Sequence, residues 1–302
     1  MEKLSFAIIG AGRVGAVFAA GLRKCGYRLA GIASRTPASA AELAERFNVP
    51  WSVNPAEIAK RAEIVFIMTL DRCIGHVAEE IARQGGWHKD QYVYHASGAL
   101  PADILAAAGQ QGAFIGALHP LQSFAGGGNK DCLSGVCFAV DGGTDAICLA
   151  KDIVRDLGGY SFFVPQEKRA LYHAAACIAS NYLVVLMHYA VNLFQQLGLS
   201  AEKATTALMP LLQGTLDNLA NKGTDKALTG PIARGDANTV AAHLTILAQS
   251  DPNTERLYRQ LGLHTLLLVQ KMDCLEWAKL YDLLRNNGEG KITKLYQDEE
   301  CK

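Results

Sequence analysis

The stretch "FAIIGAGRVGAVFAAGL", residues 6–22, carries three glycines, Gly10, Gly12 and Gly15, in the spacing GxGxxG. An apolar run precedes the first glycine and a helical pattern follows the third, which is the context that a dinucleotide-binding motif requires. The first glycine permits a tight turn, the second lets the backbone approach a pyrophosphate, and the third lets the helix pack closely on the strand. A glycine-rich turn without a ligand is the alternative. We predict that the cofactor contacts Gly10, Ala11, Gly12, Arg13, Val14 and Gly15.

The residues after the second predicted strand indicate which dinucleotide binds. NAD-binding domains usually place an Asp or Glu there to bind the ribose 2′-hydroxyl. This chain instead reads "ASRTPAS" at positions 33–39, without an acidic residue. Ser34, Arg35 and Thr36 offer two hydroxyls and a guanidinium, which suit a 2′-phosphate. We therefore expect NADP as the cofactor, the alternative being that Arg35 is a solvated loop charge and Thr36 a helix cap.

Short β-like runs alternate with helical runs in the first half of the chain, which is typical of a parallel sheet with crossover helices. Thr36-Pro37 and Asn54-Pro55 each combine a capping side chain with a proline at the first helical position, and Glu57 completes a possible capping box. The sequence predicts an α/β Rossmann-type nucleotide-binding domain over residues 1–165. The predicted strands are 5–9, 28–34, 63–69, 91–97, 113–119, 136–140 and 160–164.

The β-like pattern stops after Pro165, near which we place the domain boundary. We predict an all-α C-terminal domain over residues 166–302 that serves substrate binding and dimerisation. Ser200 and Asp251-Pro252 supply helix start signals. The predicted helices are 166–197, 200–221, 236–249, 252–272 and 274–286.

The overall composition is that of an ordinary globular protein. Lys and Arg number 29 and Asp and Glu also number 29, so we expect no nucleic-acid partner. The eight cysteines form no CxxC pair, and with no secretory signal we expect reduced thiols in the cytoplasm. The uncharged run 170–201 has the length of a membrane span, but its two His, two Asn, two Gln and two Ser favour a core helix.

Polar residues follow several predicted strands, at the edge where open α/β sheets bind ligands. Thr69, Leu70, Asp71 and Ser97 are therefore predicted neighbours of the nicotinamide ribose. His119, beside a proline at a strand end, is either a hydrogen-bonded structural group or a substrate-binding residue.

A polar stripe lies within the uncharged run, in "LYHAAACIASN", residues 171–181. His173, Cys177 and Asn181 are four residues apart and fall within about 80° of one another around a helix. Either they face a polar, poorly solvated site, or they are hydrogen-bonded core residues.

Four segments carry a resemblance to known families: "HASGAL" (95–100), "LHPLQSF" (118–124), "YHAAACIASNYL" (172–183) and "LTGPIARGD" (228–236). The chain resembles an uncharacterised two-domain family that pairs a Rossmann-like NADP-binding domain with a helical C-terminal domain of unknown function. Its N-terminal half is similar to pyrroline-5-carboxylate reductase and the F420-dependent NADP oxidoreductases. Its helical half is similar to ketopantoate reductase and the 6-phosphogluconate and β-hydroxyacid dehydrogenases.

The second resemblance implies site residues. In those enzymes a long helix carries a catalytic Lys and, four residues later, an Asn. Asn181 matches the Asn and would orient the substrate, but Cys177 stands at the place of the Lys. The proton would then come from His173 or Lys168. A homodimer is also expected.

The segment "LTGPIARGD" reads as a loop between helices. Arg234 would bind a substrate carboxylate through a bidentate fork, with Thr229 beside it. Alternatively, Arg234 pairs with Asp236 and closes the loop.

These features together predict an NADP-dependent oxidoreductase that transfers hydride to a small carbonyl or imine compound. The alternative is a non-catalytic NADP-binding sensor or scaffold protein, and a third possibility is a reductase that uses a deazaflavin partner. We expect no metal, because no two His or Cys have a recognised zinc-site spacing.

Overall fold

The computed structural model describes residues 3–124, 133–269 and 272–285. The chain forms two compact units, Met1–Leu183 and Val184–Lys302. The strands end just before Pro165, as predicted, but residues 166–183 belong to the strand-containing unit. The predicted division into folding domains at Pro165 stays a prediction.

The first unit is built on one eight-stranded sheet in the order β3-β2-β1-β4-β5-β6-β7-β8. The strands are β1 Ser5–Ile9, β2 Arg28–Ala33, β3 Trp51–Ser52, β4 Ile64–Ile67, β5 Tyr92–His95, β6 Phe114–Pro120, β7 Cys137–Gly142 and β8 Tyr160–Phe163. Every predicted strand is present, whereas the two-residue strand β3 was not predicted because it is too short to form a pattern.

The predicted parallel sheet needs one correction. Strands β1 to β6 are parallel, but β7 runs antiparallel to β6, and β8 is again parallel to β7. The apolar pattern of a strand sequence indicates that the strand is buried, but it does not indicate whether the neighbouring strand is parallel or antiparallel. The reversal at β7 is therefore a property of the tertiary structure.

Helices cover both faces of this sheet. They are α1 Arg13–Lys24, α2 Pro37–Glu45, α3 Pro55–Ala59, α4 Asp71–Arg83, α5 Ala106–Gly109 and α6 Thr144–Asp156. A further helix of this unit, α7, spans Arg169–Ala179. Phe6 and Ile8 of β1 lie in one apolar cluster, while Ala7 and Ile9 lie in another. Burial on both faces explains why the strands read as continuous apolar runs.

Two predicted helix caps are present at the carboxyl edge of the sheet. The Thr36 side chain accepts a hydrogen bond from the first turn of α2, and Asn54 does the same for α3. The predicted capping box of Glu57 is wrong, because its carboxylate accepts a hydrogen bond from the Ser52 hydroxyl, 2.7 Å away.

The predicted long helix 166–197 is interrupted. A short 3₁₀ turn at Gln166–Lys168 leads into α7, and a new helix, α8, spans Asn181–Gln196. At Ser180 the backbone has φ −114° and ψ −65°, which departs from helical values. The angles calculated for one continuous helix therefore hold only up to this point.

The second unit is helical, as predicted. Beyond α8 its helices are α9 Ala201–Lys222, α10 Thr224–Ala227, α11 Ala237–Ser250, α12 Pro252–Leu268 and α13 Cys274–Arg285. Ser200 and Asp251 cap α9 and α12 through their side chains. Positions 270, 271 and 286 of the predicted helices lie outside the described residues. The core joins α11, α12 and α13 through Val240, Leu244, Leu263, Leu266, Leu280 and Leu284.

Among the described residues, one helical segment, Gln166–Gln196, is long and apolar enough to cross a membrane, and none of its apolar window is buried. Length and composition are the only grounds for this, and a single such segment is weak evidence for a membrane span.

Two neighbouring glycines at the end of β7 allow a test of the antiparallel pairing. Gly142 has φ +131°, and a Cβ there would lie 2.4 Å from the carbonyl oxygen of Ile115, whereas a Cβ on Gly143 would meet nothing within 4 Å. We expect Gly142→Ala to lower the free energy of unfolding by about 2–4 kcal/mol, from backbone strain and overlap. Gly143→Ala is the matched control and should change it by less than about 0.5 kcal/mol. Equal effects in urea unfolding would contradict the described close approach.

Candidate functional site

A cavity of about 970 Å³ opens at the carboxyl ends of β1, β2 and β4. Its lining includes most of the predicted cofactor-binding residues: Gly10, Ala11, Gly12, Arg13, Val14, Ser34, Arg35, Thr36, Thr69 and Leu70. The predicted GxGxxG segment, the segment after β2 and the end of β4 thus meet at one place.

The glycines have the geometry that their predicted roles require. Gly10 has φ +116°, and a Cβ there would lie 2.6 Å from the carbonyl oxygen of Met68. A Cβ on Gly15, which does not line the cavity, would lie 2.1 Å from the carbonyl oxygen of Gly10, so only glycine allows α1 to pack here. Around Gly12, in contrast, a Cβ would meet nothing within 4 Å. The backbone at Gly12 therefore faces open space, and a dinucleotide pyrophosphate fits at the N-terminus of α1.

The part of this cavity that is lined by residues after β2, here called its far end, contains several hydroxyl groups and one guanidinium. Arg35 is exposed, and the Thr36 hydroxyl donates to Ser39 Oγ at 2.8 Å. Ser39 was not predicted as a site residue, although it lies in the same stretch of sequence. The arrangement has the donors that bind a phosphate group.

Besides Gly15, the predicted cofactor residues Asp71 and Ser97 do not line this cavity. The Ser97 hydroxyl donates to Asp71 Oδ2 at 2.7 Å and accepts from the backbone N–H groups of Ala99 and Leu100. These hydrogen bonds hold the turn after β5 in place. The predicted contact of Asp71 and Ser97 with the cofactor stays a prediction.

A second cavity, of about 620 Å³, brings together three predicted site residues, His119, His173 and Asn181. The segment after β6 borders both cavities, because Leu121, Gln122 and Ser123 line the second cavity and Phe124 lines the first. The full lining is His119, Leu121, Gln122, Ser123, Phe162, Tyr172, His173, Ala175, Ala176, Cys177, Ala179, Ser180 and Asn181.

The two imidazoles of this cavity face each other across a glycine. The ring centroids of His119 and His173 are 6.0 Å apart with the rings perpendicular. A Cβ on Gly98 would lie 2.5 Å from His173 Nδ1 and 2.9 Å from His119 Nε2. The turn after β5 therefore has room for no side chain at this position.

His119 is neutral around pH 7. Burial, followed by the nearby charge of Arg169, lowers the pKa of His119 to about 4. Its Nδ1 shares a hydrogen bond of 2.6 Å with the hydroxyl of Tyr172, whose pKa is raised by burial to about 12. The cavity thus presents a neutral imidazole and a neutral phenol. Tyr172 was not predicted as a site residue, and its place next to His173 is the one signal in the sequence that points to it.

His95 lies behind the cavity, fully buried. Its Nδ1 accepts from the Ser97 backbone N–H at 3.1 Å, and its Nε2 lies 3.1 Å from the carbonyl oxygen of Pro101. Since a backbone N–H can only donate, the proton of the neutral ring is on Nε2. Burial lowers the pKa of His95 to about 4.

The candidates for a proton donor differ in position. His173 Nε2 lies 3.7 Å from Cys177 Sγ, and its buried Nδ1 has no hydrogen-bond partner within the part of the chain that the structure describes. Lys168 is exposed in the 3₁₀ turn before α7 and lines neither cavity. Cys177, at the position where a Lys was expected by resemblance, does line the second cavity.

Sequence reasoning missed Arg169, the first residue of α7. It is only 1% exposed, and its Nη2 donates to the carbonyl oxygen of Ser97 at 2.5 Å. The one signal in the sequence is that Arg169 directly precedes the long uncharged run. A charged residue next to so apolar a segment can be buried, and a buried arginine needs a partner.

Thr229 and Arg234 lie in the second unit, between α10 and α11, and both are exposed. Asp236 accepts hydrogen bonds from Thr239 as the cap of α11, and these bonds, more than Arg234, lower its pKa. The predicted role of Thr229 and Arg234 in substrate binding stays a prediction.

Comparison with protein families confirms the architecture that the resemblance implied. Residues 1–120 match the Rossmann-like domain, and residues 136–265 match a domain of unknown function, DUF2520. The chain consists of a Rossmann-like domain followed by a DUF2520 domain.

Solved structures with this fold include oxidoreductases. BF3122 from Bacteroides fragilis, provisionally assigned as an NADP oxidoreductase, is 25% identical with a TM-score of 0.73, covering 86% of this chain and 97% of its own. An imine reductase from Pseudomonas sp. is 15% identical with a TM-score of 0.61 (93% and 99% covered). The 1-pyrroline-5-carboxylate reductase of Streptococcus pyogenes is 15% identical with a TM-score of 0.58 (94% and 98%). No curated protein sequence matches the chain.

The low pKa values predict an acid-sensitive fold. His95 and His119 stay neutral in the folded protein down to about pH 4, whereas histidines of the unfolded chain protonate near pH 6.5. Between these values the unfolded state binds more protons, so the free energy of unfolding should fall as the pH drops from 6.5 to 4. We expect His119→Gln to remove up to about 3 kcal/mol of this pH dependence.

Urea unfolding at several pH values measures the effect. His264→Gln, which changes an exposed histidine of the second unit, is the control and should leave the slope unchanged. A His119→Gln profile parallel to that of the wild type would show that His119 has the same pKa in the folded and the unfolded protein.

Proposed function

We propose that this protein is an NADP-dependent reductase that transfers hydride from the nicotinamide to a small carbonyl or imine compound. The observation that carries the proposal is the shared border of the two cavities at residues 119–124. One cavity has the glycine turn that is typical of a dinucleotide site. The other is lined by groups that can donate or accept hydrogen bonds, among them the neutral His119 and Tyr172. A nicotinamide at that border would be next to an acceptor in the second cavity.

The choice of NADP rests on the far end of the first cavity. Ser34, Arg35, Thr36 and Ser39 line it, and no acidic residue follows β2 to bind a 2′-hydroxyl. A guanidinium with several hydroxyls favours a 2′-phosphate.

The cofactor, when bound, supplies the hydride, so the residues of the second cavity must orient the acceptor and supply a proton. His173 is our proposed proton donor, and the amide of Asn181 orients the carbonyl or imine. The neutral His119 and Tyr172 offer further hydrogen bonds to an uncharged acceptor. Lys168 is the less favoured donor, because it is exposed and lines neither cavity.

The solved relatives support an oxidoreductase with this fold. The imine reductase supports a C=N acceptor, and BF3122 supports NADP as the cofactor.

A sensor or scaffold protein that binds NADP without turnover is the second candidate. It is favoured by one observation: the lining of the second cavity contains no lysine, and Cys177 lies where the resembling dehydrogenases have one. Screening with NADPH against panels of oxo acids and cyclic imines separates the two functions, since tight binding without turnover on any panel supports the sensor.

We also propose that the protein acts as a cytoplasmic homodimer. Support comes from the large apolar side chains that α7 and α8 expose, among them Leu171, Ile178, Tyr182 and Val184. Exposed apolar side chains in such number are typical of an interface.

The cofactor preference gives a prediction. We expect the protein to bind NADPH more tightly than NADH, and Arg35→Ala to weaken NADPH by about 1.5–3 kcal/mol while leaving NADH nearly unchanged, because only NADPH carries the 2′-phosphate. Titration calorimetry with both cofactors measures this. The control is Arg155→Ala, an exposed arginine of α6 paired with Asp152. Equal losses for both cofactors would mean that Arg35 acts by stacking on adenine or through folding.

The assignment of the second cavity gives another prediction. His173→Ala and Asn181→Ala should keep the NADPH affinity and the melting temperature but lower the rate of hydride transfer, for His173 by about 10²–10⁴-fold. Turnover is measured with any substrate that the panels identify. His188→Ala is the matched control, because His188 is an exposed residue of α8 bonded to Asn192 at 3.1 Å. A lower melting temperature with unchanged turnover would make both residues structural instead.

A further inference from the structure

Arg169 is a buried cation that the proposed reaction does not use. Only 1% of its surface is exposed, and its Nε and Nη1 have no hydrogen-bond partner among the described residues. Its one hydrogen bond in the described structure runs from Nη2 to the carbonyl oxygen of Ser97, at 2.5 Å. Unpartnered buried donors are rare in native proteins and need a physical explanation.

An ion pair does not provide this explanation. Asp141 is the acidic group with the largest influence on Arg169, but its Oδ2 accepts a hydrogen bond from the backbone N–H of Ala102 at 3.0 Å. No carboxylate of the described residues lies within ion-pair distance of Arg169. An apolar side chain of similar size would avoid the cost of burying an unpaired charge, so stability alone does not explain an arginine here.

Two contacts of Arg169 lead to the second cavity. The carbonyl that it binds precedes Gly98, which lies against both His119 and His173. Its guanidinium carbon also lies 5.9 Å from the ring centre of Tyr172, whose hydroxyl bonds to His119. Arg169 is thus connected to one wall of the cavity through the Ser97–Gly98 turn and to another through Tyr172.

We propose that Arg169 is a positioning residue of the second cavity, which holds the Ser97–Gly98 turn against α7 and places a buried positive charge behind Tyr172, the hydrogen-bond partner of His119. It does not touch the cavity itself and acts through Gly98, Tyr172 and His119. Its consequence for turnover rests on the proposed reductase function, whereas its effect on His119 does not.

The charges around His119 are consistent with this role. Arg169, His173 and His95 all oppose protonation of His119, Asp71 favours it, and burial is the largest cause of the low pKa. An arginine stays protonated over the whole working range of pH, so its effect on His119 is constant. The cavity would therefore keep a neutral imidazole at neutral and at mildly acidic pH.

The test is an NMR titration of His119 in the full-length protein, which needs neither substrate nor cofactor. In the wild type we expect His119 to titrate near pH 4. In Arg169→Met, which replaces the charge with an apolar side chain, the midpoint should rise by about one pH unit, the effect of one charge several ångströms away at an effective dielectric constant of about 20. Arg155→Met on α6, which removes an exposed charge, is the control and should leave it unchanged.

Arg169→Lys separates the two parts of the role and serves if the methionine variant does not fold. It keeps the charge but not the guanidinium fork, so the His119 midpoint should stay low while the resonances of Ser97 and Gly98 shift. A wild-type midpoint near pH 6.5, or a methionine variant that folds with the wild-type midpoint, would overturn the proposal. A lysine variant with a midpoint well above that of the wild type would overturn the role of the charge. Since none of these readings involves hydride transfer, they stand apart from any failure of the reductase function.

Discussion

The turn at Gly10 is the constraint on which this site depends. Its backbone N–H donates to the carbonyl of Ala33 at the end of β2, and the carbonyl of Ile9 accepts from Met68 at the end of β4, each at 2.7 Å. Three parallel strands therefore end at one level, and α1 starts directly above them. Gly10 and Gly15 leave no room for a Cβ. Gly15 lets α1 pack against this turn, and Gly10 both forms the turn and lines the first cavity.

The second cavity is built from elements that are far apart in the chain. The turn after β5 supplies Gly98, the end of β6 supplies His119, and α7 supplies Tyr172 and His173. His119 and Tyr172 are both uncharged at neutral pH, and a buried charge, Arg169, lies behind them. These two neutral groups suit an uncharged acceptor, because no ion pair with them must be broken when the acceptor enters.

In the polar stripe of the uncharged run, local helix geometry determines which residues share a surface, and the tertiary structure determines which of them line the second cavity. The spacing of His173, Cys177 and Asn181 does place them on one cavity, although the helix is interrupted at Ser180. The polar residues later in the run do not line this cavity. His188, for example, is exposed and forms a hydrogen bond with Asn192 on the same helix. A stripe of this kind identifies which residues share a surface but not what lies against it.

The sequence by itself determined the Rossmann-type domain, the helical second half, and ten of the residues that line the first cavity, because strand–glycine–helix patterns are local and each glycine has a specific backbone role. It also selected His119, His173 and Asn181, though without showing that they meet. Only the tertiary structure decided the antiparallel β7, the break at Ser180, and the joining of Gly98, Tyr172 and Arg169 to the second cavity. The physical reason is that burial, strand direction and the electrostatic surroundings of a side chain depend on neighbours distant in sequence, and no local pattern records them.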